Sequence, residues 1–211
     1  MTAAGAYRAR RSDRSQQTRE RIMGAVRDLL AEGAFHEAPV EEVAERAGVS
    51  RATLYQHFRS RVDLVDAICD TFAVNPALRE LRGAVELADP EEALAKTVAL
   101  ATAFWASEDA VLAEIYGVAA IDPAAQALVE RQRADRHGEM ERLARRLSAA
   151  GLLRTGIGER RARQLLMVLT SYETFRELRL ADVAERDLAK TLQASARTLL
   201  LSGSEFRNGG A

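Results

Sequence analysis

From residue 15 to about 203, apolar residues recur at spacings of three and four and never settle into alternation. That period is helical and predicts an all-α fold. The first stripe, Ile22, Val26, Leu29 and Leu30, lies on a helix starting near Ser15 and stopped by Gly33. Pro39 then occupies a first helical position, and Glu41 and Glu42 fall in the first turn, where carboxylates meet the positive end of the helix dipole. This second helix, VEEVAERA, is only about two turns long and ends at Gly48. Ser50 can cap a third short helix whose first turn is Arg51-Ala52-Thr53, and a fourth begins after Ser60 with Val62, Leu64, Val65 and Ile68.

Beyond Phe72 the helices lengthen. Pro76, Pro90 and Pro123 each stand at a helix start, and the pattern predicts helices at 77–87, 91–106, 109–121, 124–149, 159–180 and 184–202. The chain therefore divides into a flexible basic arm (1–13), a short-helix segment (14–72), a long-helix segment (73–203) and a flexible tail (204–211).

Two short helices joined by a tight glycine turn have the geometry of a helix-turn-helix. Val43, Ala44, Ala47, Val49 and Leu54 are the small and apolar positions that let those helices cross closely. With these turned inward, Arg51, Thr53, Tyr55 and His57 face outward, while Leu54 and Phe58 fill the core. The outward set consists of donors for phosphate oxygens and base edges, on a helix short enough to enter a major groove.

Composition narrows the partners. The 211 residues are 47% hydrophobic and 29% charged with a net charge of −1, so no global field draws the chain to nucleic acid or membrane. Any basic site must be local. Within residues 1–21, six arginines (Arg8, Arg10, Arg11, Arg14, Arg19, Arg21) against two acids (Asp13, Glu20) leave a local net of +4. The single cysteine, Cys69, excludes an internal disulfide and reads as a small buried hydrophobe. No Cys/His cluster has metal-ligand spacing, so no metal or cofactor is expected. The polar opening MTAAGAYRARR does not resemble a secretory signal, and no apolar run approaches a membrane span, which makes a cytoplasmic, membrane-free setting the expectation.

The stretch PVEEVAERAGVSRATLYQHFRSRVDLVDAI resembles the DNA-binding domain of the TetR (tetracycline repressor) family of bacterial transcriptional regulators. The likeness runs from about Thr18 to Phe72, with AGVS…LY.HF as its most specific part. It implies that residues 14–72 are a three-helix DNA-binding domain and that 73–203 bind a small-molecule effector and form a homodimer. The implied function is a repressor released from a palindromic double-stranded DNA operator by that effector, not an enzyme. The implied DNA-contacting positions are Thr18, Arg19, Ser50, Arg51, Ala52, Thr53, Tyr55, His57 and Arg61, with Tyr55 and His57 on phosphates. Arg61 stands where the family more often has lysine, keeping the charge but replacing a point charge by a planar fork. Pro39 replaces a common threonine or serine and offers neither hydroxyl nor N–H to a phosphate, shifting weight to Thr18, Arg19 and the arm from Arg8 to Arg14.

The long-helix segment is less explicit. Arg133 and Arg136 fall on the apolar face of helix 124–149 defined by Val129, Met140, Leu143 and Leu147, and Glu173 falls on the face of helix 159–180 defined by Leu165, Leu166, Leu169 and Tyr172. Charges on apolar stripes must be paired or must hold a ligand. Two readings stand: a buried salt-bridge group of Glu173 with Arg133 or Arg136, or a pocket for an anionic or polar ligand. The pocket would use Phe72, Phe104, Tyr116, Arg133, Arg136, His137, Met140 and Glu173. The dimer is expected from the last two helices through Leu165, Leu169, Tyr172, Leu188, Leu192, Ser195 and Leu199. The alternative function is a helical small-molecule-binding protein or enzyme whose N-terminal domain is not its main activity. Against it, no nucleophile–base pair, phosphate-cradling glycine loop or metal constellation is visible.

Overall fold

The structure, a computed structural model, describes the backbone of residues 3–202 and the side chains of residues 12–202. The tail at 204–211 and the side chains of Arg8, Arg10 and Arg11 lie outside the described residues. Among the described residues ten α-helices follow one another: α1 (Ala3–Ala31), α2 (Val40–Arg46), α3 (Arg51–His57), α4 (Arg61–Thr71), α5 (Pro76–Ala84), α6 (Pro90–Ala119), α7 (Pro123–Ala149), α8 (Glu159–Leu169), α9 (Tyr172–Leu180) and α10 (Glu185–Leu200). Among the described residues the β-structure is a single isolated bridge between Leu153 and Leu201, which ties the end of α10 to the turn after α7.

The all-α class agrees with the helical period, while three helix boundaries differ from it. Helix α1 begins at Ala3 rather than near Ser15, because its opening is rich in alanine and arginine and contains no proline to stop the helix. The expected pair 91–106 and 109–121 is one continuous helix, α6. Its Ala-Ser-Glu-Asp stretch carries no glycine or proline, and the Ser107 hydroxyl donates back to the Phe104 carbonyl at 2.9 Å instead of capping a new start. The expected single helix 159–180 is broken into α8 and α9 by a cap, since Ser171 accepts from the Thr174 N–H at 3.1 Å.

Two compact units emerge. One holds the residues through Phe72 together with Asp109–Val129; the other holds Ala73–Glu108 and the residues from Glu130 onward. In the first unit α1 packs against α2 and α4, and α2 against α3. Ile22, Val26, Leu29, Leu30, Val43, Leu54, Phe58, Leu64 and Ile68 are buried there. In the second unit α10 packs against α8 and α9. Its core joins Leu94, Val98 and Ala101 of α6, Met140, Leu143 and Leu147 of α7, Ala162, Leu166 and Leu169 of α8, and Leu192, Ala196 and Leu200 of α10.

Candidate nucleic-acid interface

The first unit builds its exposed helix from a glycine turn. Helix α2 ends at Arg46 with Ala47 as its C-cap, and Gly48 adopts the left-handed region at φ +63°, which any residue with a Cβ resists. The turn closes by two bonds, Gly48 N–H to Glu45 O and Val49 N–H to Ala44 O, each 2.9 Å. Ala44 and Ala47 are buried at the crossing, so the two helices approach closely. From the side, Arg21 donates to the Gly48 carbonyl at 3.4 Å.

Helix α3 is then capped by Ser50, whose hydroxyl oxygen accepts from the Thr53 N–H at 3.1 Å and sits 2.8 Å from the Thr53 hydroxyl. Leu54 and Phe58 are buried, which turns Arg51, Ala52, Tyr55 and Gln56 outward and leaves Thr53 and His57 half-buried. The next helix is fixed by a reciprocal cap: the Asp63 N–H donates to Ser60 Oγ at 3.1 Å and Ser60 Oγ donates to Asp63 Oδ1 at 2.9 Å. Ser60 and the Arg59 N–H hold the Asp63 carboxyl below its ordinary value.

Charged groups meet on this frame in three ways. Arg51 pairs with Glu41 of α2 at 2.5 Å, and its guanidinium lies over the Tyr55 ring at 5.6 Å. Arg19 lies over the Phe58 ring at 4.4 Å, which brings the α1 candidate to the end of α3. Thr18, half-buried, bonds back to the Arg14 carbonyl at 2.9 Å and lines an open concavity with Arg14, Gln17, Glu20 and Arg21.

Arg61 is engaged inward. Its two terminal nitrogens donate to the carbonyls of Phe35 and Ala38, and its guanidinium stacks on the Phe35 ring at 4.4 Å. Burial pulls its pKa below the ordinary value. Arg61 thus clamps the loop leading into α2, a task that needs a fork and that lysine cannot perform. The same loop is held by Glu114 of α6, which accepts from the His36 backbone N–H at 2.8 Å and meets His36 Nδ1 at 2.7 Å. That carboxylate raises the His36 pKa. Sequence reading missed His36 and Glu114; the available signal was one acid inside the buried run Val111, Leu112 and Ile115.

In the second unit the candidate residues behave differently from expectation. Arg133 does pair with Glu173 at 2.8 Å, yet the two side chains are 53% and 49% exposed, so the group is a surface pair and not a buried one. The apolar stripes of α7 and α9 are narrow enough to leave both charges at their edges. Arg136 donates to the Thr170 carbonyl at 3.0 Å and lies over the Trp105 ring at 5.8 Å. Trp105 Nε1–H donates to the same carbonyl at 3.0 Å. That acceptor is available because α8 ends at Leu169. Phe104, Trp105, Tyr172 and Phe175 form a chain of ring contacts with centroids 4.7, 5.6 and 6.1 Å apart.

Met140 is fully buried in the core, His137 is half-buried, and Phe72 and Tyr116 belong to the first unit. Of the expected dimer residues, Leu169, Tyr172, Leu188 and Leu192 are buried within the single chain, whereas Leu165 and Ser195 are half-buried and Leu199 is exposed. Buried positions of α8 and α10 face each other, which is why a leucine stripe on one helix did not distinguish own core from partner surface. Val168, 59% exposed, and Leu199, 42% exposed, lie outside this core.

Residues 22–68 match the model for bacterial regulatory proteins of the tetR family. That segment, which holds the glycine turn and α3, is of the tetR-family type. The HTH-type transcriptional regulator UidR of Escherichia coli K12 is 39% identical over 54 residues, 26% of this chain and 28% of UidR. The chain thus spans little more than a quarter of that relative's length. The HTH-type transcriptional regulator YdeS of Bacillus subtilis is 29% identical over 161 residues, covering 76% of this chain and 75% of YdeS. A solved transcriptional regulator from Saccharomonospora viridis, in complex with choline, shares the fold with a TM-score of 0.72 at 18% identity over 89% of this chain and all (100%) of that one. No described helix is long and apolar enough to cross a membrane.

Proposed function

We propose that this tetR-family chain is a homodimeric, sequence-specific DNA-binding regulator of the cytoplasm, a repressor released from its operator by a small molecule. The observation that carries the reading is the outer face of α3, where a glycine turn and a Ser50 cap present Arg51, Thr53, Tyr55 and His57 while Leu54 and Phe58 anchor the helix. Tyr55 and His57 serve phosphates, and Arg51 with Thr53 serves base edges. Thr18 and Arg19 flank the groove from α1. Arg61 acts on DNA indirectly, by holding the loop that sets α2.

One α3 reads too few bases for useful selectivity, so the operator is read by two copies and is close to palindromic. Leu165, Val168, Ser195 and Leu199 give the outer surface of α8 and α10 a self-complementary contact for a second copy. The effector region is the Trp105, Tyr172 and Arg136 cluster around the Thr170 carbonyl, which offers aromatic faces and a cation. The related S. viridis protein binds choline, so the fold accommodates small molecules. Release is a population shift toward an arrangement that the ligand binds better and DNA binds worse.

The test is a gel-shift comparison of DNA upstream of this chain's own gene with a shuffled duplex of equal composition. Selective retention of the upstream DNA is expected. Equal retention of both would reduce the chain to a non-specific binder, and no retention of either would return the weight to a helical small-molecule-binding protein or enzyme.

A further inference from the structure

Arg51 opens the helix that the proposed function assigns to base reading, and it is held by an acid. Its Nη1 stands 2.5 Å from Oε1 of Glu41, and the two side chains are 61% and 57% exposed. An exposed pair of this kind adds little to the stability of the fold. The neighbouring acid, Glu42, has a different position: it shares Arg46 with Glu32 at 2.9 and 2.7 Å, a brace that ties α2 to the end of α1. Glu41 braces nothing of that kind. It faces the first residue of α3, across the glycine turn, on the side where Arg51 and Tyr55 are exposed.

We propose that Glu41 is a specificity-determining residue of the DNA interface, a role that rests on the reading of α3 as the recognition helix. A free arginine binds any phosphate, and phosphate contacts drive sequence-independent affinity. Glu41 opposes that default in two ways. By engaging one terminal nitrogen while the Tyr55 ring supports the guanidinium face, it fixes the fork and leaves its other N–H groups directed outward. A guanine edge, with its adjacent O6 and N7 acceptors, matches such a fork. The carboxylate also repels an approaching phosphate, whereas a base edge carries no net charge for it to repel. Glu41 therefore lowers affinity for arbitrary DNA more than affinity for the correct site. This is selectivity gained by disfavouring the wrong partner.

The test uses the full-length chain, with Glu41→Gln, Arg51→Ala and the double variant beside the parent. Each protein selects sites from a randomised duplex pool. Each is then titrated by fluorescence anisotropy, over a range of salt, against the parent's selected site and a shuffled duplex of the same composition. Circular dichroism melts confirm that the variants keep their fold. For Glu41→Gln, affinity for the shuffled duplex rises roughly fivefold and its salt dependence steepens by about one counterion. The selected consensus loses its preference at the base position that Arg51→Ala also erases. The double variant matches Arg51→Ala in consensus, because Glu41 directs base choice through Arg51, and binds the shuffled duplex more tightly than Arg51→Ala does, because the carboxylate's repulsion of phosphate does not need Arg51. A parent that selects a sequence while Glu41→Gln matches it on both duplexes and in consensus overturns the role of Glu41 alone. A parent that selects no sequence overturns the DNA-binding reading, and the role of Glu41 falls with it.

Discussion

The segment α2–α4 and the segment α8–α10 are both made of short amphipathic helices, yet they differ in how tightly local chemistry determines geometry. In α2–α4 every junction is specified by a side chain or a backbone angle: Gly48 in the left-handed region, Ser50 on Thr53, Ser60 and Asp63 on each other. Each helix there has one buried side, so the outward residues follow once the inward ones are known. In α8–α10 the helices pack on one another and also carry exposed apolar residues, Val168 at 59% and Leu199 at 42%. A leucine in this segment can belong to the chain's own core or to a partner, and spacing alone does not say which. Tight junctions make a functional surface legible; shared faces obscure it.

The contrast is sharpest between two leucines one heptad apart on α10. Leu192 is 4% exposed in the core with Leu166 and Met140, and Leu199 is 42% exposed. Leu192→Glu should collapse the second unit, at a cost above about 3 kcal/mol, because it buries an unpaired charge. Leu199→Glu should leave the denaturation midpoint within about 0.5 kcal/mol of the parent and should give monomers by light scattering where the parent gives the proposed dimer. Two variants of equal stability would show that burial does not separate these residues.

In the first unit Arg61 tests whether a junction outranks a contact. Arg61→Lys keeps the charge but cannot serve the carbonyls of Phe35 and Ala38 together. Leaving one half-buried acceptor without its charged donor should lower stability by about 1–3 kcal/mol in denaturant titration. If Arg61→Lys is as stable as the parent and loses only DNA affinity, the residue is a phosphate contact after all.

His36 provides a smaller, pH-dependent effect on the same loop. Its pKa is raised when folded, chiefly by the hydrogen bond to Glu114. The folded state therefore binds the proton more tightly than the unfolded chain does. The resulting stabilisation is full below the unfolded value of about 6.5 and is lost as pH rises through the higher folded value. Thermal melts should show the parent losing stability across that window, whereas His36→Gln should not. A parent whose midpoint is flat there, or rises, would rule out the Glu114 pairing as drawn.

The least effect belongs to Glu173→Ala. Its pair with Arg133 is about half exposed, so the melting temperature should fall by no more than the equivalent of about 1 kcal/mol. A large loss would restore the buried charge group expected from sequence.

These outcomes bear on how much was legible. The helical period revealed the fold class, and the residues around Gly48 revealed the turn, the Ser50 cap and the split between Leu54 or Phe58 and the outer face. The cap at Ser171 escaped notice because serine also tolerates helix interiors, and the continuity of α6 escaped because Ser107 and Asp109 are good caps when the backbone turns. Arg61 read as a surface cation since its partners are backbone carbonyls, which leave no trace in sequence. Glu41 read as a dipole complement; its pairing with Arg51 depends on the crossing of α2 and α3.

The claim that the outer face of α3 binds operator DNA is tested most directly by Tyr55→Phe and His57→Ala. Both would be assayed by anisotropy on the upstream DNA retained by the parent, with helix content checked by circular dichroism. Each variant should bind about fivefold or more weakly, as loss of one hydrogen bond to a charged phosphate requires, while still preferring the upstream DNA to a shuffled duplex. Parent-like affinity in both variants, with helix content unchanged, would contradict the assignment of this face to DNA.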